Sequence, residues 1–172
     1  MKLVSLILVL AASNLYSQDL KIGIRTQKTA GMYWENGITA QYSFANFKPG
    51  QFHVGFDFIT SRLGTAFNSN ALKQESYLVS ALWYFHNEKS FRFYTKLNTG
   101  FFHADLEEDI FKELSHNAFL LSPEIGLSYD FMNLPLVVNL GAGYNISTVS
   151  EGKSPGTLQP LFYNLIIYYK IF

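Results

Sequence analysis

The stretch Phe52-His53-Val54-Gly55-Phe56-Asp57-Phe58 puts a large apolar side chain at every second position and a polar or small one between. Successive side chains of a β-strand point to opposite faces, so this is a strand with two unlike faces. The same period of two runs through the chain on both sides of it. Before it lie Leu20, Ile22, Ile24 and then Trp34, Ile38, Ala40, Tyr42, Phe44. After it come Tyr77, Val79, Ala81, Trp83, Phe85; then Phe91, Phe93, Leu97, Phe101; then Phe119, Leu121, Ile125, Leu127, Tyr129, Phe131. Two further sets, Leu136 to Ile146 and Leu161 to Ile171, bring the count of expected strands to eight.

Composition supports a packed structure and narrows its class. The chain has 172 residues, 48% hydrophobic, 17% aromatic and only 15% charged, which is about one domain and too apolar for disorder. Thirteen basic and thirteen acidic side chains give a net charge of zero, so no basic field is present to neutralise nucleic-acid phosphates. The absence of cysteine removes disulfides, thiolate metal sites and a cysteine nucleophile together. No cofactor motif is present, and none is expected.

The first eighteen residues differ from the rest. Lys2 precedes an apolar run from Leu3 to Ala12, and residues 13–18 turn polar, the pattern of a secretory signal peptide. The run is too short to cross a bilayer as a helix. Residues 1–18 are therefore expected to be removed, leaving 19–172 as one barrel domain with twelve basic and thirteen acidic groups.

The connections alternate in length. Short turns are expected at residues 45–50, 86–90 and 132–134, and longer loops at 64–73, 103–116 and 147–157. Short turns at one end, longer loops at the other and an even strand number describe a bacterial outer-membrane barrel. Volume assigns the faces. The apolar set holds around forty side chains, more than the lumen of an eight-stranded barrel can contain. The opposite set is compact or polar, with Gly23, Gly55, Gly100, Gly126, Gly141 and Gly143 among it. Aromatic residues gather toward the strand ends and aliphatic ones toward the middles, the double girdle of a membrane barrel. Tyr77 to Phe85 spans about 26 Å along the strand, or about 20 Å across the membrane at a tilt near 40°.

Residues 19–172 resemble the small eight-stranded outer-membrane barrels of the OmpA and OmpX kind. The resemblance implies an all-β, antiparallel, up-and-down transmembrane barrel in the bacterial outer membrane, monomeric, with both termini periplasmic. It also implies contact with outer-membrane lipid and lipopolysaccharide, and recognition of the terminal Phe172 by the barrel-assembly machinery. The family usually carries a second aromatic two residues before the last, where this chain has Lys170. The resemblance is architectural and brings no catalytic motif.

Within the expected lumen, Lys21, Arg25, Arg92, Lys96 and Lys170 face Asp57, Glu124 and Asp130, with His53, Gln41, Asn139 and Asn145. Buried charges must pair. The expected register sets Lys96 beside Glu124 and Arg92 within diagonal reach of Asp130, a network that plugs the barrel in preference to a pore or proton path.

Residues 104–115 carry a net charge of −4, and Leu106, Ile110 and Leu114 repeat at helical spacing behind Asp105 as N-cap. The plain expectation is a short helix on the barrel mouth. A sharper one is a divalent-cation or partner site using Asp105, Glu108, Asp109 and a flanking histidine. Arg62 and Lys73, bracketing the preceding long loop, are candidates for lipid phosphate. Ser115 and His116 are sequence neighbours and so point apart, which does not make a catalytic dyad. The expected role is structural or recognition work through the outer loops, with the loop partner unspecified. A lipid-A-modifying enzyme and a soluble lipocalin-like carrier are the alternatives.

Overall fold

The computed structural model describes residues 20–30, 34–47, 50–63, 72–86, 90–105, 115–149 and 160–171. The expected signal peptide, Phe172, Glu108, Asp109 and the helical stretch 106–114 lie outside the described residues. The strands are β1 (Leu20–Thr29), β2 (Trp34–Phe47), β3 (Gly50–Leu63), β4 (Leu72–Phe85) and β5 (Phe91–Asp105). They continue with β6 (Asn117–Asp130), β7 (Leu136–Tyr144), the two-residue β8 (Ile146–Ser147) and β9 (Leu161–Ile171).

Every pairing is antiparallel. The order runs β5-β4-β3-β2-β1-β9-β7-β6, and β6 pairs back onto β5, so the sheet closes. Ile146 and Ser147 of β8 keep the β7 register on β6, and β7 with β8 forms one stave of an eight-stranded barrel. The ladder is interrupted opposite Ser122 and Pro123, where proline has no N–H to donate; the Ser122 hydroxyl donates to Asn145 across the break at 2.8 Å. The expected strands thus all form, with the seventh divided at Asn145.

Closure sets the tilt. Register pairs followed around the barrel lead from His103 through Glu75, Thr60, Asn36, Thr26, Leu165, Leu140 and Leu127 to Phe93. The path returns to β5 ten residues from its start. A slip of about 33 Å over a circumference of about 38 Å inclines the strands by about 41°.

The two faces divide as the volume argument requires. Ile24, Ile38, Val79, Leu97, Phe101, Ile125 and Leu140 are exposed on the outside. Lys21, Arg25, Asp57, Lys96 and Glu124 are buried inside, each no more than 2% exposed. Outward aromatic pairs sit at both ends: Phe58–Tyr77 and Phe101–Phe119 toward the long loops, and Phe44–Phe52, Phe52–Trp83, Phe91–Phe93 and Tyr129–Phe131 toward the short turns.

One expectation needs correction. The lumen holds large aromatics as well as compact and polar groups: Tyr84, Tyr94, Phe102, Phe162 and Tyr168 are all buried. Cross-strand glycines make the room. Tyr94 pairs with Gly126, Tyr168 with Gly23 and Phe162 with Gly143, and each ring lies over the hydrogen its partner has in place of a side chain. At Gly143 a methyl group would lie 2.3 Å from Cζ of Phe162, with all three nearest atoms in that ring.

Gly143→Ala is expected to lower the unfolding free energy by about 1–3 kcal/mol through overpacking, measured by urea titration of the refolded chain. Phe162→Leu in the same chain should relieve part of that cost, so that the double variant is more stable than the two single losses added together.

Candidate functional site

Charged side chains from five strands meet in the lumen. Arg25 of β1 places Nη2 at 3.3 Å from Oε2 of Glu124 on β6 and Nη1 at 3.9 Å from Oδ1 of Asp57 on β3. Its Nε and Nη2 also donate to Oε1 of Gln27, at 3.1 and 2.8 Å. Lys96 of β5 donates to Oδ2 of Asp57 at 2.5 Å, and the Tyr94 hydroxyl donates to Oε1 of Glu124 at 2.7 Å. The Gln27 amide then donates to the carboxylate of Glu35 on β2. Two cations and two carboxylates thus balance at the centre, with Glu35 joined through Gln27. Such a group survives burial only because each charge has an opposite charge and further hydrogen bonds.

The expected register is present, since Lys96 and Glu124 are cross-strand partners. The ion pair is not. Lys96 reaches across the lumen to Asp57, and Glu124 takes Arg25 and Tyr94 instead. A closed barrel brings non-neighbouring strands together through its interior, and a cross-strand partner has no monopoly on contact.

Toward the short turns a second group forms. Asp130 accepts from Lys170 at 2.5 Å and from Arg92 at 3.5 Å, as the diagonal Arg92–Asp130 expectation requires. The Arg92 guanidinium also lies 4.4 Å from the Tyr84 ring centroid and the Lys21 ammonium 5.1 Å from it. His53 meets the same ring edge-on at 5.0 Å. Gln41 donates to the Tyr168 hydroxyl at 2.5 Å and accepts from Tyr84 at 3.4 Å, while Asn139 donates to Tyr84 at 3.1 Å. Above the ionic centre, Ile59, Leu78, Phe102, Ala104, Ala118 and Leu120 form an apolar cluster near the long-loop end. Arg25, Glu35, Asn98, Ser122, Asn145 and Phe162 line a space of about 10 Å³, the size of one water molecule.

Sequence reasoning missed Gln27, Glu35, Tyr84, Tyr94 and Tyr168 in this network. The available signal was parity: each occupies a buried position that alternates with outward-facing neighbours, and Tyr84 and Tyr168 lie between apolar or aromatic ones.

The long-loop rim carries the other candidates. Asp105 ends β5, exposed, as the register partner of Lys73. Lys73 instead pairs with Glu75 at 2.6 Å, and the Tyr77 hydroxyl donates to Glu75 at 2.8 Å. Arg62 belongs to the backbone of β3; its side chain, with Glu108 and Asp109, is outside the described residues. His116 Nδ1 lies 3.2 Å from the Ala104 carbonyl, and Ser115 donates to the Asn117 carbonyl at 2.8 Å, so the adjacent pair engages separate backbone groups. Among the described residues no three His, Asp or Glu side chains converge as metal ligands.

No family model and no curated protein matches this chain. Solved structures do. The outer membrane protein OprH of Pseudomonas aeruginosa, determined in detergent micelles, aligns over 89% of this chain and 99% of its own at 14% identity, with a TM-score of 0.62. The N-terminal β-barrel domain of OprF from the same organism covers 89% and 97% at 11% identity and a TM-score of 0.59. Ail, the attachment invasion locus protein of Yersinia pestis, covers 90% and 97% at 12% identity and a TM-score of 0.50. The fold is that of the small eight-stranded outer-membrane barrels.

Asp57→Asn is expected to cost about 3–5 kcal/mol, because it leaves Lys96 and Arg25 buried beside a neutral group. Asp130→Asn, at a half-buried mouth position, should cost about 1 kcal/mol or less. Denaturant midpoints of the two variants refolded side by side check the order.

Proposed function

We propose that this protein resides in the bacterial outer membrane as a monomeric barrel with an occluded lumen, and that its work is structural or recognition at the long-loop surface. The observation that carries the reading is the outward belt: predominantly apolar side chains on all eight staves, with aromatic pairs toward both ends. A soluble carrier would place such a face inward and would keep a cavity. Here the inside is ionic and filled by aromatic side chains, and the space lined by Arg25 and Glu35 has room for about one water.

Closure suits the backbone to hydrocarbon, since no strand edge is left unpaired. With the long loops facing outward, the start of β1 and the end of β9 both lie on the periplasmic side. The side chains crossing the lumen from β1, β3, β5 and β6 favour occlusion over conduction. The loop partner falls to the long loops at 64–73, 103–116 and 147–157, with Asp105, Glu108, Asp109 and the adjoining Arg62 as its acidic and basic candidates, and lipopolysaccharide as the surrounding ligand. The terminal strand and Phe172 are assigned to the barrel-assembly machinery.

Residues 19–172, refolded into detergent, are expected to migrate differently on a denaturing gel before and after boiling, and to give no stable conductance steps in planar bilayers. A monodisperse β-rich protein in plain buffer that shows no gel difference overturns the membrane assignment, and sustained steps overturn occlusion.

A further inference from the structure

Apart from the isolated hydroxyls of Thr95 and Thr99 on β5, the polar side chains of the outward belt among the described residues gather in one row. Thr26, Asn36, Thr60, Glu75, His103 and Asn117 form a continuous cross-strand row from β1 to β6. The neighbouring row toward the short turns, Ile24, Ile38, Phe58, Tyr77, Phe101 and Phe119, is entirely apolar or aromatic. Strand tilt carries such rows down the barrel by about 3 Å per strand. The polar row, level with the loops at Asn117, therefore lies about 15 Å lower at Thr26, below the aromatic girdle.

At this low end the wall is grooved. Ile24, Thr26, Asn36, Gly37, Leu165 and Ile167 line an outward depression of about 270 Å³. Asn36 is exposed, and among the described residues neither its amide nor the Thr26 hydroxyl has a side-chain hydrogen bond. An unpaired amide facing hydrocarbon is costly, so the occupant must offer acceptors as well as apolar length. Lys28 lies two residues, about 5 Å along the barrel axis, nearer the long-loop end. It is the register partner of both Trp34 and Tyr163, and its ammonium lies 5.3 Å from the Trp34 ring centroid. Cation, amide and hydroxyl donors, and apolar groove follow one another down a single strip of β9, β1 and β2.

We propose that this strip is a binding site for a phosphate-bearing, acylated membrane lipid of the leaflet at the long-loop end. Lys28 takes the phosphate, Asn36 and Thr26 donate to the ester or amide carbonyls, and an acyl chain lies against Gly37, Ile24, Leu165 and Ile167. The proposal rests on the membrane reading, which supplies the lipid.

The test uses residues 19–172 refolded in a phosphate-free detergent. Trp83→Phe makes Trp34 the only tryptophan of the chain and so a reporter within the site. Phosphatidic acid is expected to shift Trp34 emission saturably at about one lipid per chain, whereas diacylglycerol with the same chains and inorganic phosphate leave it unchanged. Lys28→Gln and Asn36→Leu should each weaken the phosphatidic acid titration by about tenfold or more. An equal response to diacylglycerol, a response to inorganic phosphate alone, or parent-like titration of both variants overturns the site. The boiled and unboiled gel of the same sample separates the two failures. A gel difference without lipid response rejects this site alone, and no gel difference rejects the membrane barrel beneath it.

Discussion

The pairing of β6 back onto β5 is the constraint on which the rest of the molecule depends. An open sheet of eight strands would expose two rows of unpaired N–H and C=O groups; a closed one exposes none. Closure also fixes how much room is left inside. Eight strands with a ten-residue slip enclose a lumen too narrow for the outward apolar set and wide enough for one layer of interdigitating side chains. Every inward residue must then find partners among residues from the far wall.

That requirement explains the combination of tyrosine, glycine and charge inside. Tyr94 occupies the space over Gly126 and still reaches Glu124 with its hydroxyl. Phe162 covers Gly143 on one side, and its ring centroid lies 5.6 Å from the Arg25 guanidinium on the other. Large rings supply volume without extra charge, and their polar tips complete the ionic groups. The same packing separates the central Arg25 cluster from the Asp130 group at the short-turn mouth, with Tyr84, Tyr168 and His53 between them.

The outward face was legible in the sequence because it obeys a local rule. Period two, turn residues and aromatic placement are properties of neighbouring positions, and Phe52 to Phe58 already displays them. The partners inside were less legible because they depend on non-local geometry. Lys96 and Glu124 follow from register, yet Lys96 pairs with Asp57, two strands away on β3, and Arg25 joins β1 to β6. Those pairs follow from tilt and lumen width, which no local pattern encodes. The large inward aromatics were hidden for a related reason: Tyr84, Tyr94 and Tyr168 add to the apolar count of their strands and look like outward residues until parity is followed residue by residue. Glu35, between Trp34 and Asn36, is easily read as a loop-end charge.

Outward and inward faces therefore answer to different selections of chemistry. The belt needs apolar character and tolerates isolated hydroxyls such as those of Thr95 and Thr99 on β5, so the exposed amide of Asn36 is the departure requiring a cause. Thr60 lies at girdle level, and near the loop end Glu75 is paired with Lys73 and Tyr77, and His103 with Asn117. Thr26 and Asn36 lie lower, and their position follows from strand tilt acting on an otherwise continuous row. A substitution to leucine would restore the belt locally. The chain instead keeps an amide and a hydroxyl beside a groove, with a lysine directly toward the head-group side, an arrangement that gives the barrel wall a chemistry of its own apart from its loops.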